Sequence, residues 1–385
     1  MEKLLQIVPP VGSREIPWQQ IESLFGDILE PMAQTPQNPR WHGEGNVWTH
    51  TKMVVQELCK LPGYQALDRE KQQILFLAAL FHDVGKPLCT RLEDGAWVSR
   101  GHGRVGASIL REKLWLSMDI CGTPQKQQLR ETVCRLIQYH STPPHAIDDP
   151  DGKRRLLKIA ANGEQTPLFT IELLCLLSQA DILGRISADQ TQLLEKVELC
   201  RELAKEADCF DKPFAFASAY SRYAYLSGSN MLPQQPLYDP TWGEVIMLSG
   251  LPGVGKDTWI AENYPHLPVI CLDDIRQEMD CAPTKNQAAV AEEAHRRAKE
   301  LLRKKQSFIW NATDLSFVMR QKQLSLFTSY AASVKIVYLE TDWQEQLRRN
   351  SSRSRQVPVE AIEKMLQKLE PPQIPEARAV IWQCV

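Results

Sequence analysis

Two groups of residues in this sequence have the types and spacing that chemistry needs. The first is Gly250-Leu-Pro-Gly-Val-Gly-Lys-Asp-Thr258, which follows the apolar run Glu244-Val-Ile-Met-Leu-Ser249 and leads into a helical start at Trp259-Ile-Ala-Glu262. Strand, glycine-rich turn and helix make the setting of a phosphate-binding loop. Gly250, Gly253 and Gly255 permit backbone angles and close approaches that side chains block. The successive N–H groups of the turn, that of Val254 included, can then surround a triphosphate at the positive end of the helix, with Lys256 reaching the terminal phosphates. The expected ligand is ATP or another NTP with Mg²⁺. The residue after the lysine is ordinarily a Ser or Thr that holds the Mg²⁺. Here it is Asp257, with Thr258 next, and either oxygen is a candidate for the metal.

The second group is built on histidine. Of the eight histidines, His42, His50, His82, His102 and His140 fall at expected helix ends, with His145 in a Pro-rich loop. His82-Asp83 follows Ile74-Leu-Phe-Leu-Ala-Ala-Leu-Phe81 and precedes Val84-Gly-Lys-Pro87, which stops the helix. An adjacent His and Asp offer one imidazole nitrogen and one carboxylate oxygen to the same cation, a mixed set that suits Mn, Fe, Co, Ni or Zn better than Ca. His50 lies one helix earlier, and Asp181 sits in Gln179-Ala-Asp-Ile-Leu-Gly-Arg185 at the end of another apolar helix. Together they would form a metal site inside a helical bundle, where a metal or a metal pair activates water and clamps phosphate oxygens. Lys86 and Arg185 flank the site and read equally as phosphate contacts or as solvated charges. Taken singly, each histidine reads as structural; the order His, His-Asp, Asp is what points to a ligand set.

The elements that must carry these residues differ between the two halves. Residues 18–29, 49–61, 68–81, 103–115, 126–139, 167–186 and 190–207 place apolar side chains three and four apart, and no period-two strand interrupts them. The expected domain over 1–230 is all-α. Residues 231–240 belong to a polar, Pro-rich linker that begins near Ser227. Over 241–385 the pattern alternates, with strands at 244–249, 268–272, 307–311 and 334–340 and helices between and after them. Apolar strands separated by amphipathic helices imply a parallel sheet covered on both faces, the P-loop kinase architecture. The fold class is therefore multi-domain: a helical bundle followed by an α/β P-loop kinase domain.

Two further motifs lie in the second half. Asp273-Asp-Ile-Arg276 closes the expected second strand, where side chains face the ligand crevice. A carboxylate there can take a proton from an attacking hydroxyl and an arginine can stabilise the transferred phosphoryl group, although an Asp pair can also simply cap a helix. Arg348-Arg-Asn-Ser-Ser-Arg-Ser-Arg-Gln-Val-Pro358 holds four arginines with no acid between them. That composition suits a lid over a triphosphate or, equally, an exposed basic loop. Trp259 and Trp310 could stack a base but read more simply as core.

Both halves resemble known families. Trp48-Thr-His50-Thr, Leu80-Phe-His-Asp-Val-Gly-Lys-Pro87, Gly101-His-Gly-Arg-Val-Gly-Ala107, Gln138-Tyr-His140 and Ala180-Asp181 resemble the signature of HD-domain metal-dependent phosphohydrolases. The resemblance implies that His50, His82, Asp83 and Asp181 hold a first metal and that His102 and His140 bind a second in two-metal members. His42, in Trp41-His-Gly-Glu-Gly45, recurs in such relatives without a clear role. Lys256-Asp-Thr-Trp259, Asp273-Asp-Ile-Arg276 and Arg349-Asn-Ser-Ser-Arg353 before Val357-Pro358 resemble, in order, the loop, acceptor motif and lid of phage-type polynucleotide kinases. This implies Asp273 as general base, Arg276 on the acceptor-end phosphate, and Arg349 and Arg353 on the donor. Asn311-Ala-Thr-Asp314 falls where that family often has an acidic or amide residue.

The combination is similar to bacterial HD-domain polynucleotide kinases, which heal RNA ends. It implies phosphorylation of a 5′-hydroxyl by one domain, and removal of a 2′,3′-cyclic phosphate or a 2′- or 3′-phosphate by the other. The implied partners are RNA ends and a separate RNA ligase. Two other readings stand beside it: an HD nucleotidase fused to a small-molecule kinase, and an ATP-gated HD regulator without an acceptor.

Bulk properties bound these readings. The length of 385 residues suits two or three domains, and a net charge of −2 gives no global attraction to nucleic acid. Ten scattered cysteines without a Cys-x-x-Cys pair imply free thiols in a reducing compartment. The N-terminal apolar stretch is too short for a secretory signal and no run reaches membrane-spanning length. The expected location is cytoplasmic, with no membrane partner.

Overall fold

The computed structural model describes all residues except 11, 14, 282–286 and 354. The chain forms two compact units, Met1–Ile120 with Gln125–Phe214, and Cys121–Pro124 with Ala215–Val385.

The first unit is helical. Its main helices are Trp18–Ala33, Val47–Lys60, Arg69–Phe81, His102–Met118, Pro124–Tyr139, Ile171–Leu183 and Gln190–Glu206. Local chemistry sets several starts. The side chains of Asn46, Asp68 and Thr170 accept the N–H three residues on from Thr49, Lys71 and Leu173, and so cap three helices. Two of those helices form the centre of the bundle: Ile74–Phe81 and Leu173–Leu177 are buried throughout, as expected for helices packed on all sides.

Two expectations fail in this unit. A hairpin of β1 (Arg91–Glu93) and β2 (Ala96–Val98) interrupts the helices. Its turn is Asp94-Gly95, both at positive φ (49° and 78°), the dipeptide that favours a tight hairpin. Three-residue strands are too short to show a period of two. His145, expected in a loop, lies in the short helix Pro143–Ala146.

The second unit carries a five-stranded parallel sheet made of β3 (Trp242–Ser249), β4 (Val269–Cys271), β5 (Phe308–Asn311), β6 (Ala332–Glu340) and β7 (Ala379–Cys384). The spatial order is β4-β5-β3-β6-β7, so β3 is central and feeds the glycine-rich loop directly. Ile246, Leu248, Ile309, Val337 and Leu339 from these strands pack with Val254, Trp259 and Ile260 into one buried cluster. Trp259 and Trp310 are both core residues, with Trp310 fully buried. Strand β7 was not anticipated; it is an edge strand whose exposure alternates, and it follows a Pro-rich stretch. Helix Ala219–Leu226 also belongs to this unit. Asp273–Arg276 lies in the helix Leu272–Glu278 rather than at a strand end, because that helix begins one residue after β4.

Candidate metal centre and phosphate-binding loop

Each histidine of the first unit is aimed by a local bond. The Nδ1 of His82, His102 and His140 meets the carbonyl three residues earlier, Ala79 O (2.8 Å), Ser99 O (2.7 Å) and Ile137 O (2.7 Å). A carbonyl only accepts, so Nδ1 carries the hydrogen and Nε2 presents a lone pair. His50 does the same by tertiary means: its Nδ1 lies 2.9 Å from Glu44 Oε1 and 3.2 Å from Gly184 O. Four bare Nε2 atoms thus converge on two carboxylates.

His50 Nε2 is 3.0 Å from Asp181 Oδ1 and 3.4 Å from His82 Nε2, and His82 Nε2 is 3.3 Å from Asp83 Oδ2. On the other side of the same carboxylate, His102 Nε2 is 3.3 Å from Asp83 Oδ1 and 3.2 Å from His140 Nε2. His50, His82 and Asp83 form one ligand triad and Asp83, His102 and His140 a second, so Asp83 belongs to both. Two lone pairs 3.2–3.4 Å apart have no hydrogen to share. Asp83 is buried between the two triads, with Oδ2 held by the ammonium of Lys86 and Oδ1 facing the imidazoles of His102 and His140. Such a set of nitrogen and carboxylate donors could hold divalent metal, with Asp83 a candidate ligand in both triads.

Close approach brings these pieces together. A Cβ on Gly184 would lie 2.7 Å from Val54 N, so only glycine lets the end of helix Ile171–Leu183, with Asp181, meet the helix that carries His50. Arg185 then binds Asp181 through Nε and Nη2, and Lys86 Nζ sits 2.6 Å from Asp83 Oδ2 while donating to Gln37 Oε1 at 2.7 Å. Both cations therefore act first on ligand carboxylates. His42 stands behind the site: its Nδ1 is 2.8 Å from Glu44 Oε1, and Glu44 Oε2 accepts from Ile186 N at 2.9 Å. Glu44 was not singled out in the sequence. The signal that could have found it is its place two residues after His42 in Trp41-His-Gly-Glu-Gly45.

The electrostatics agree with the geometry. Burial opposes ionisation of Asp83, but the fields of His82 and Lys86 outweigh it and hold the carboxyl well below its usual range. Asp181 is likewise held low against burial by Arg185 and His50. Burial, reinforced by His102 and His82, pushes His140 down to about 3, and His102 is lowered chiefly by burial. For His50 burial pulls down, yet the neighbouring carboxylates of Asp181 and Glu44 raise it overall.

In the second unit the loop leaves β3 at Gly250, whose N–H bonds Thr313 O at 3.0 Å, and Gly253 and Gly255 adopt φ of 80° and 107°. Helix Lys256–Asn263 starts at once. Lys256 Nζ curls over the loop to Gly250 O (3.0 Å) and Leu251 O (3.1 Å), and burial lowers its pKa to about 8. Asp257 Oδ1 accepts from Asn311 Nδ2 at 2.7 Å, while Thr258 is exposed. Val254 is buried; its carbonyl accepts from Arg349 Nη1 at 2.9 Å, and Glu345 holds Arg349 Nε at 2.7 Å. Arg353 lies within electrostatic reach of Lys256, as does Asp273. Asp273 and Arg276 are paired with each other, one turn apart on their helix. The structure thus gathers Lys256, Asp257, Asp273, Arg349 and Arg353 around one loop. Asp314 has a different place: its Oδ2 accepts from Trp310 Nε1 at 2.9 Å in the core.

Comparison with known proteins gives matches in both units. The family model described as HD domain matches residues 47–185, and the model described as AAA domain matches residues 245–372. A multifunctional CCA protein from Psychromonas ingrahamii is 27% identical over 138 residues, which are 35% of this chain and 27% of that protein. A CC-adding tRNA nucleotidyltransferase from Thermus thermophilus is 38% identical over 96 residues, 24% of this chain and 19% of that protein. The chain thus spans only 27% and 19% of these curated relatives. The solved structure of a gluconokinase from Sinorhizobium meliloti covers 37% of this chain and 82% of its own, at 18% identity and a TM-score of 0.28. No helix among the described residues is long and apolar enough to cross a membrane. The chain joins a helical HD domain to an α/β P-loop kinase-like domain.

Proposed function

We propose that this protein processes nucleic-acid ends with two separate centres, an HD phosphohydrolase and a polynucleotide 5′-hydroxyl kinase. The observation that carries the hydrolase half is the carboxylate of Asp83 shared by two histidine-bearing triads. His50, His82, Asp83 and Asp181 would hold one metal, and Asp83, His102 and His140 the other. When bound, the pair supplies the Lewis acidity that phosphoester hydrolysis needs. The chain's own groups prepare for it: buried Nδ1 bonds fix the imidazoles, and Lys86 and Arg185 keep both aspartates ionised.

In the kinase half, Lys256 and the loop N–H groups would hold the donor triphosphate, with Arg349 and Arg353 as lid contacts. Asp273 takes the proton of the acceptor hydroxyl as its oxygen bonds to the γ-phosphorus. The bond from that phosphorus to the β–γ bridging oxygen breaks, and the nucleoside diphosphate leaves. The phosphate nearest the acceptor hydroxyl would take Arg276 from its partner Asp273. Support for RNA as the acceptor is the ordered trio of loop, Asp-x-x-Arg and lid motifs, together with a tRNA-named protein among the relatives. Ends left with a 5′-phosphate and free hydroxyls suit a separate RNA ligase.

The test uses one RNA oligonucleotide with a 5′-hydroxyl and a 2′,3′-cyclic phosphate. It is incubated with ATP and Mg²⁺, with and without Mn²⁺, Co²⁺ or Ni²⁺, and both ends are read by mass. Lys256→Ala is expected to lose only the 5′ reaction and Asp83→Ala only the 3′ reaction. Unchanged ends alongside turnover of mononucleotides would replace RNA by a small-molecule substrate.

A further inference from the structure

In P-loop enzymes a neutral Ser or Thr follows the loop lysine, and an aspartate on a neighbouring strand completes the Mg²⁺ site. This chain carries the same two kinds of group in exchanged places. Asp257 follows Lys256, and β5, the hydrogen-bonded neighbour of β3 through Met247 and Trp310, ends in Asn311. The two side chains meet, with Asn311 Nδ2 donating to Asp257 Oδ1 at 2.7 Å. Asn311 is only 5% exposed, so its amide is fixed by its surroundings, whereas Asp257 stands at the exposed mouth of the loop.

The next carboxylate along the same segment does not fill the role. Asp314 is 4% exposed, its Oδ2 accepts from the Trp310 indole, and its backbone carbonyl accepts from Ser249 Oγ and Arg320. It braces the core beside the loop. Asp273, also near Lys256, is paired with Arg276, which leaves Asp257 as the carboxylate on the loop that is oriented by an amide on the adjoining strand.

We propose that Asp257 and Asn311 are an exchanged metal-holding pair, in which the loop carboxylate, set by the strand amide, takes the divalent cation of the bound nucleotide. This rests on the nucleotide-binding reading of the loop. It has a consequence that a hydroxyl at this position would not have. Without the cation, a carboxylate beside the triphosphate repels it; with the cation, the same carboxylate attracts the complex. The chain should therefore depend on Mg²⁺ for nucleotide binding more steeply than a P-loop with a serine there.

The experiment measures the affinity of the full chain for a fluorescent ATP analogue, in EDTA and in saturating Mg²⁺. Wild type is expected to bind at least about tenfold tighter with Mg²⁺. Asp257→Ala, and the nearly isosteric Asp257→Asn, should bind tighter than wild type in EDTA and keep less than about a twofold gain from Mg²⁺. The double swap D257S/N311D returns the carboxylate to the strand and should recover the gain. Retention of the full Mg²⁺ gain by both single variants would overturn the inference and leave Thr258 as the ligand. A double swap that melts like wild type yet recovers nothing would overturn it too. If wild type binds the analogue in neither condition, the nucleotide reading itself fails, an outcome distinct from a failed exchange.

Discussion

Replacing Glu44 with Gln tests whether the metal centre is held from behind. Glu44 Oε1 takes the Nδ1 hydrogens of both His50 (2.9 Å) and His42 (2.8 Å), and Oε2 takes the N–H of Ile186 (2.9 Å). A glutamine can offer its single oxygen to only one of these sides, so its NH₂ must face a donor on the other. Partners of this kind behind a ligating histidine are worth about 10- to 100-fold in metal affinity, or roughly 1.4–2.7 kcal/mol. We expect Glu44→Gln to weaken Mn²⁺ or Co²⁺ binding by that factor in chelator-competition titrations, with the far-ultraviolet circular dichroism unchanged. His42→Ala, which loses one of the two imidazoles but leaves Glu44 on His50, should cost about threefold or less. Metal affinity in Glu44→Gln within twofold of wild type would refute the reasoning.

Three more outcomes follow from the geometry. Burial holds the Asp314 carboxyl up to about 6. The folded chain therefore keeps a proton that the unfolded chain has released, and stability falls as pH rises between the ordinary carboxyl value and about 6. The full penalty, at most about 3 kcal/mol, is present above 6. Asp314→Asn should raise the melting temperature at pH 7.5 and lose that advantage near pH 4; an equal gain at both would disprove it. Glu376→Ala strips the partner from Arg320, a fully buried guanidinium that donates to it at 2.7 and 2.9 Å. The uncompensated charge should cost about 3–5 kcal/mol in urea denaturation followed by tryptophan fluorescence. Gly85→Ala would put a Cβ 2.1 Å from His102 O and 2.5 Å from Gly106 N. The helix bearing His102 must then move from Asp83, and metal analysis should show the second triad emptied before the first.

Much of the fold was legible because its signals are local and repeated. The long helices carry apolar residues at three- and four-residue spacing over a dozen positions, and the four strands from β3 to β6 are continuous apolar runs. The hairpin β1–β2 and the edge strand β7 were not, for different reasons. Three residues cannot display a period, whereas β7 has an apolar run, Ala379-Val-Ile-Trp382, but follows a Pro-rich stretch rather than a helix and so breaks the strand–helix alternation that marked the others. The Asp-x-x-Arg motif was legible as residues but not as backbone, since a helix that starts one residue after a strand leaves no turn signal between them.

The histidines and aspartates of the candidate metal centre, and the loop lysine with its acidic successor, are identities and spacings that sequence alone determined. The Nδ1 bonds of His82, His102 and His140 also belong there, because a carbonyl three residues back is within reach of any histidine in such a turn. Tertiary structure decided the rest. It set Asp83 between two triads, carried His50 to Asp181 and to the carbonyl of Gly184, and brought Asn311 to Asp257 across 54 residues. Each of these depends on where helices and strands distant along the chain come to rest, which is settled by the packing of whole faces and by close approaches such as that at Gly184. No short stretch of sequence carries that information, because the energy that fixes it is spread over the entire core.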